Sequence, residues 1–419
     1  MLNKQGPLAI FAIIAAYIAV HFGLAGERFD PAIAGPVFLG GVAYLLMTIS
    51  LFLATRASFL EGLFGGLDRM YQVHKFCGIF ALLFVLAHFF LAPDMLPEWA
   101  DPALNAMTPS GPLGMIAMIT LVLSLIISLN RKISYSRWRP MHKAMGLVYV
   151  LATLHFFTAP DAFMDTFGPS MPIILGAAIL GIASYLYSMF GMNKRTAYAY
   201  RIDEVNALER ATELVLSPIG QKMQHKAGQF AFLEIEGKDW NEPHPFTISS
   251  APDDTHLRFT LKVLGDWTRK VREDLKPGGT IQVRGPYGRF DTRKGGTKQI
   301  WLAGGIGLTP MLASLRDMQP DDERDIHLVY AARDKNDAIY LEELKDRAAA
   351  LKNVTLVPLF SDEGHFARVD MMKQKLPDPL NSYEYFMCGP KPMVNGIMKD
   401  LKSEGVTRAK IHTEAFEFR

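Results

Sequence analysis

Apolar residues dominate the first 193 positions of the chain and thin out sharply afterwards. Six stretches there, about 7–25, 34–54, 71–92, 112–130, 141–159 and 171–192, predict helices that span a bilayer, each close to the roughly 20 residues a span requires. The first resembles a leader, but no small-residue cleavage site follows it and five more spans do, so it reads as a helix. From about 199 the pattern becomes short alternating stretches with turn residues between. Ala231–Ile235, His256–Val263 and Thr280–Val283 predict strands of a small barrel. After 297 strands alternate with helices, beginning at Gln299–Ala303 and resuming near Ile326, Val354 and Tyr385, which predicts a parallel sheet with helices on both faces. The 419 residues have room for about three domains. The expected organisation is a six-helix transmembrane bundle over 1–195, a β-barrel over 196–296 and an α/β parallel-sheet domain over 297–419.

Two spaced pairs of histidines interrupt the apolar part: His74 with His88, and His142 with His155. A polar ring in hydrocarbon is costly and usually functional. Fourteen and thirteen residues separate the two pairs, which at 1.5 Å per residue is roughly 20 Å along a helix, most of a ~30 Å hydrocarbon core. Two such helices would set His74 against His142 at one depth and His88 against His155 at another. Each facing pair is able to hold one haem iron through both axial positions. At 100° per residue a spacing of fourteen leaves a pair about 40° apart, but thirteen leaves it about 140° apart. The second helix must therefore be locally overwound or bulged, or its two haems must approach from different sides.

Charge sets the expected orientation. Lys4, Arg56, Arg69, Arg131, Lys132, Arg137, Arg139, Lys194 and Arg195 lie in one set of loops, whereas Glu27, Asp30, Asp94, Glu98, Asp101, Asp161 and Asp165 lie in the other, with Arg28 the lone cation there. Positive residues mark the cytoplasmic side, so both termini are expected in the cytoplasm of a multi-pass protein of the cell membrane. A net charge of +2 without a basic, aromatic-studded stripe gives no reason to expect nucleic acid as a partner. The two cysteines, Cys77 and Cys388, fall in different halves and predict no disulfide.

Three motifs in the second half carry chemistry. The first is His244-Pro245-Phe246-Thr247-Ile248-Ser249-Ser250, where an aromatic followed by a hydroxyl can pack on a flavin ring and bond its edge; taken alone it is also a strand with a proline turn. Gly265-Asp266-Trp267-Thr268 follows as a turn able to bind pyrophosphate. The second is Gly304-Gly305-Ile306-Gly307-Leu308-Thr309-Pro310, directly after a predicted strand and opening a helix, with Pro310 suited to a first helical turn. Such glycines let a dinucleotide phosphate approach the backbone at a helix amino terminus. The third is Phe386-Met387-Cys388-Gly389-Pro390, a late strand ending in a tight turn, whose cysteine reads as a small buried residue more readily than as a nucleophile. Arg333, just past the second strand, is placed either to meet a 2′-phosphate bidentately or to serve as an ordinary surface arginine.

With these residues in place, the second half resembles the ferredoxin–NADP reductase superfamily, and the whole chain resembles the NADPH oxidase and ferric reductase family. HPFTISSAPDD at 244–254, the Gly265–Thr268 turn and the histidine spacings carry the likeness. The resemblance implies that His244, Pro245, Phe246, Thr247 and Ser250 contact FAD, with Trp267 and Thr268 on its pyrophosphate side. Gly304, Gly305, Gly307, Thr309 and Pro310 would bind the pyrophosphate region of NADPH or NADH, and Cys388, Gly389 and Pro390 would lie by the nicotinamide. Glu414-Ala415-Phe416 matches the family's terminal signature, which implies that Phe416 covers the flavin face; here Glu417, Phe418 and Arg419 follow it. The chain carries no EF-hand segment, proline-rich tail or long insertion, which points to a compact prokaryotic member with no obligatory cytosolic activator.

The implied activity is a transmembrane NAD(P)H oxidase: hydride to FAD in the cytoplasm, single electrons through two b haems, and superoxide from oxygen outside. Reduction of an external ferric chelate along the same path, or delivery of electrons to a protein partner outside the membrane, remains open at this stage.

Overall fold

Hydrocarbon offers no water to backbone amides, so each apolar stretch must close its own hydrogen bonds as a helix. The computed structural model describes residues 5–23, 31–91, 109–130, 132–133, 135–159, 168–192, 196–235, 240 and 243–414. In chain order its first helices are α1 (Gln5–Gly23), α2 (Pro31–Ala54), a short α3 (Ser58–Phe64) and α4 (Leu67–Leu91). There follow α5 (Ser110–Leu129), α6 (Tyr135–Lys143), α7 (Met145–Phe157) and α8 (Met171–Met189). Among the described residues five helices are long and apolar enough to cross a membrane, not six.

The missing one is the expected span at 141–159, which falls on α6 and α7 with a break at Ala144. There Ala144 N bonds Met141 O and Leu147 N bonds Ala144 O, three-residue closures tighter than an α-helix makes. Pro140 lies inside α6 beside Arg137, Arg139 and Lys143, so the apolar pattern that sustains α7 does not extend through it. The 13 residues of α7 reach about 20 Å, short of the hydrocarbon core.

Glycines set how closely these helices approach. A Cβ at Gly41 would overlap the Tyr17 hydroxyl, one at Gly146 the Tyr185 ring, and one at Gly181 the Tyr149 ring. Tyrosines thus fill notches left by small residues on the neighbouring helix. Hydroxyls pair between helices as well. Tyr44 Oη lies 2.8 Å from Thr153 Oγ1, and Tyr149 Oη lies 2.8 Å from Thr48 Oγ1 and donates to Ala177 O.

The chain divides into two compact units near residue 194. The second begins with six antiparallel strands: β1 (Ala197–Ala207), β2 (Ala211–Pro218), β3 (Phe230–Ile235), β4 (His244–Thr247), β5 (Leu257–Lys262) and β6 (Thr280–Tyr287), in the order β4-β3-β6-β1-β2-β5. A bridge between Ile248 and Phe259 draws the two edge strands together and nearly closes a barrel. Alternate residues, such as Ile281 and Val283 of β6, point into its core with Leu214, Leu216, Leu233 and Phe259.

The parallel sheet comprises β7 (Lys298–Gly304), β8 (Asp325–Ala332), β9 (Val354–Phe360), β10 (Glu384–Cys388) and β11 (Ile411–Glu414), ordered β11-β10-β7-β8-β9. Strand β7 feeds two cores. Trp301 and Ala303 pack with Leu312 and Leu344, on helices (Thr309–Asp317 and Leu341–Ala350) that cover one face. Ile300 and Leu302 pack with Met372 and Ile397, on helices (Val369–Lys375 and Lys391–Ser403) that cover the other. Chain order reverses between β7 and β10, which makes their carboxyl ends the crevice where ligands bind in such sheets.

Backbone meets backbone at that crevice: a Cβ on Gly307 would stand 2.3 Å from Cys388 O and 2.8 Å from Gly389 N. Gly307→Ala is expected to cost about 1–3 kcal/mol through this overlap. Thermal unfolding of the full chain in detergent reads it, and a midpoint equal to the parent's would show that the 388–389 turn yields freely.

Candidate functional site

His74, His88, His142 and His155 meet as two pairs. His74 of α4 faces His142 of α6 with ring centroids 5.9 Å apart, and His88 of α4 faces His155 of α7 at 6.2 Å. The tightened turn at Ala144 lies between His142 and His155 and puts them on separate helical segments.

The hydrogen bonds fix which nitrogen each ring presents. Nδ1 of His74 lies 2.9 Å from Ser50 O, Nδ1 of His88 2.8 Å from Pro36 O, and Nδ1 of His155 2.8 Å from Ser110 O. A carbonyl only accepts, so these three Nδ1 atoms carry the proton and Nε2 keeps its lone pair. His142 Nδ1 lies 3.0 Å from Ser128 Oγ. That hydroxyl donates to Ser124 O, so it accepts from His142 and leaves its Nε2 equally free. An outer partner that fixes tautomer and ring angle is characteristic of ligating histidines. Trp138, one turn before His142, stacks on that ring at 4.8 Å. The sequence reading missed Ser50, Pro36, Ser110 and Ser128; serines in apolar helices carry no local mark of such a role.

In the barrel, the first motif forms β4. Thr247 is buried, and its hydroxyl finds no partner among the described residues, as holds for Trp267 Nε1. Trp267 lies in the first turn of the helix α9 (Asp266–Asp274), stacks on Phe246 at 5.5 Å and meets the tilted His244 ring at 4.4 Å, so one face of β4 and the 265–268 turn form one surface, with Pro245 between these two residues on the strand. Burial holds the His244 imidazole down to about 4, which keeps it neutral at pH 7. Two expected contact residues also hold local backbone bonds. Ser250 is fully buried and its hydroxyl accepts from Arg258 N at 3.0 Å. Thr268 Oγ1 accepts from Leu264 N and Gly265 N, which caps its own turn.

At the sheet crevice the second and third motifs come together. Gly305 adopts a φ of +52°, and Thr309 Oγ1 donates to Ile306 O, which closes the loop before α10 (Thr309–Asp317). Pro310 sits in the first turn of α10. Gly389 and Pro390 pack on Gly304 from the opposite side. Cys388 is fully buried, and burial, then the Glu414 carboxylate, push its thiol up; it is not poised as a thiolate nucleophile. Lys262 at the end of β5 reaches this loop, its Nζ 3.6 Å from where a Gly305 Cβ would stand, which puts a cation over a backbone cradle suited to phosphate. Nothing in the local pattern of β5 singled that lysine out. Arg333 is exposed just past β8, beside Asp334 and Asp337, which pair with Arg210 at 3.8 and 3.7 Å. Phe416 lies outside the described residues.

Known proteins match each part. A ferric reductase-like transmembrane component matches residues 39–153, an FAD-binding domain residues 200–291, and an oxidoreductase NAD-binding domain residues 301–399. The NADH-cytochrome b5 reductase 1 of Emericella nidulans is 29% identical over 221 residues, 49% of this chain and 69% of that protein. The reductase component of propane 2-monooxygenase from Rhodococcus jostii is 27% identical over 209 residues, 46% of this chain and 56% of that protein. The chain thus spans between about half and two thirds of the length of these curated relatives. A flavohemoglobin from Malassezia yamatoensis, solved with FAD and heme bound, shares the fold at a TM-score of 0.54 and 18% identity, over 94% of this chain and 99% of that one. With a ferric reductase-like membrane component ahead of FAD- and NAD-binding domains of the ferredoxin reductase type, this multi-pass membrane oxidoreductase has the architecture of the NADPH oxidase and ferric reductase family.

Proposed function

We propose that the protein is a transmembrane NAD(P)H oxidase that moves electrons from cytoplasmic NADPH or NADH through FAD and two b haems to oxygen on the outer face, producing superoxide. The observation that carries this reading is the geometry of the histidine pairs. Metal–imidazole bonds of about 2 Å on opposite sides of one ion set the ring centroids about 6 Å apart, and the pairs stand at 5.9 and 6.2 Å. Among the described residues no group of three or more His, Cys, Asp or Glu gathers to complete a metal site. Two opposed nitrogens therefore suit an ion that brings its own equatorial ligands, as a haem does. The Thr247 hydroxyl and the Trp267 Nε1 atom, both buried and without a partner among the described residues, fit a flavin against β4.

When bound, FAD supplies the conversion of a hydride donor into single electrons, and the haems carry those electrons one at a time. The protein's share is placement. His74 and His142 would hold the haem nearer the cytoplasm, and His88 and His155 the haem nearer the outside. His244, Pro245, Phe246, Thr247 and Ser250 would line the flavin, with Trp267 and Thr268 beside its pyrophosphate. Gly304, Gly305, Gly307, Thr309 and Pro310 would cradle the nucleotide pyrophosphate, Arg333 its 2′-phosphate, and Cys388, Gly389 and Pro390 its nicotinamide, with Phe416 as the flavin cover. We assign 1–195, 196–296 and 297–419 as the three domains, with six crossings once α6 and α7 are taken together, both termini in the cytoplasm and the bundle in the cell membrane. Reduction of a ferric chelate along the same route is the second reading, favoured by the acidic residues Asp94, Glu98 and Asp101 in one proposed outer loop.

Replacing His74 or His142 is expected to remove one haem, and replacing His88 or His155 the other, with FAD content unchanged. Pyridine haemochrome analysis should give about two haems per parent chain, two protein ligands serving each; four variants with the parent's haem content would end the bis-haem reading. The detergent-solubilised single chain with FAD and NADPH is expected to reduce cytochrome c in a manner abolished by superoxide dismutase, without any cytosolic protein. Dismutase-insensitive reduction, with faster turnover on ferric citrate, would select the ferric reductase instead.

A further inference from the structure

The barrel and the parallel sheet meet through a buried polar circuit. At its centre is Tyr340, just before α11 (Leu341–Ala350), with a φ of +59° that a side-chain-bearing residue seldom adopts. Such a conformation persists where the surroundings over-determine it. Here the Tyr340 hydroxyl donates to the buried Glu213 carboxylate of β2 at 2.8 Å and lies 3.0 Å from Thr260 Oγ1 of β5. Its ring faces the Arg316 guanidinium at 5.2 Å. Burial, then the Glu213 charge, push the Tyr340 phenol up, so it stays a protonated donor.

Arg316 completes the circuit. It lies on α10 with its side chain only 6% exposed, binds both oxygens of Glu343 at 2.7 and 2.6 Å, and donates to Ser249 O at 2.8 Å. Ser249 is two residues past Thr247, and its hydroxyl lies 3.1 Å from Thr260 Oγ1. The helix that opens at the Gly304–Gly307 loop is thereby tied, through charge-assisted hydrogen bonds, to the strand end beside Thr247.

We propose that Tyr340 and Arg316 are positioning residues for hydride transfer, fixing the nucleotide loop against the flavin strand so that the nicotinamide arrives at one separation and angle. The inference rests on the reading of the FAD and nucleotide sites given above. In the reaction they serve, C4 of the reduced nicotinamide gives a hydride, two electrons with one proton, to flavin N5, leaving oxidised nucleotide and reduced flavin with no further reactant. Neither residue touches the reacting atoms. Their contribution is geometric, and a misplacement of about 1 Å is able to cost roughly 100-fold in rate.

Tyr340→Phe removes one hydroxyl and keeps the ring on Arg316, whereas Glu213→Gln keeps an acceptor for that hydroxyl. The FAD-loaded full chain is mixed anaerobically with NADPH, NADH or their 4-deuterated forms, and flavin bleaching is followed by stopped flow. Tyr340→Phe is expected to lower the limiting rate about tenfold and to change the deuterium isotope effect, at parental FAD content, nucleotide affinity and rate of reduction by dithionite. Glu213→Gln is expected to stay close to the parent. A Tyr340→Phe variant with the parent's limiting rate and isotope effect would overturn the proposal. So would a loss of rate that only tracks loss of FAD. A parent chain that holds FAD but is reduced by neither nucleotide would sink the reading of the nucleotide site itself.

Discussion

An imidazole among apolar helices has two nitrogens to satisfy and no water to do it. Each of the four rings here spends Nδ1 on an oxygen of a neighbouring helix, and each thereby delivers Nε2 across the bundle. The acceptors come from α2 (Pro36 and Ser50) and α5 (Ser110 and Ser128), so helices that carry none of these four histidines decide how their rings point. Packing is tied to the same bonds. A Cβ at Gly40 would come 3.1 Å from His88 Nδ1, and one at Gly114 would come 2.7 Å from His155 Nδ1. Helix spacing and ring orientation are therefore one constraint, and a larger residue at either glycine would turn the ring it supports.

In the second unit the corresponding constraint is the close approach of two backbones. Gly307 lies against the 388–389 peptide, and Gly304 against Gly389 and Pro390, where chain order reverses between β7 and β10. The loop is left with its amides at a helix start and Lys262 above it, a setting that favours an anion from both sides. Burying Cys388 behind this contact raises its thiol and removes it as a nucleophile, so the strand end serves as a wall.

Much of this was legible in the sequence because it rests on local periodicity. The parallel strands, the alternation in β6 and the spacing of His74 and His88 each follow from one repeat. The rest depends on contacts between residues far apart in the chain. Ser110 serves His155 from 45 positions away, and Tyr340 meets Glu213 from 127 away. Thr268 shows the opposite case: its hydroxyl accepts from Leu264 N and Gly265 N, a role within its own turn that its residue type alone does not distinguish from ligand binding. The Tyr340 backbone also defied the pattern, because a left-handed conformation outside glycine is imposed by tertiary contacts and has no local signature.

The unequal spacings of the two histidine pairs acquire a physical meaning from the break at Ala144. A continuous α4 holds His74 and His88 in a fixed relation, about 40° apart around one axis. Their partners stand on different segments, His142 on the basic, proline-containing α6 and His155 on the apolar α7. Residues such as Arg137 and Lys143 are exposed and belong at a water-facing boundary, whereas Thr153 and Tyr149 are locked into the bundle by hydroxyl bonds.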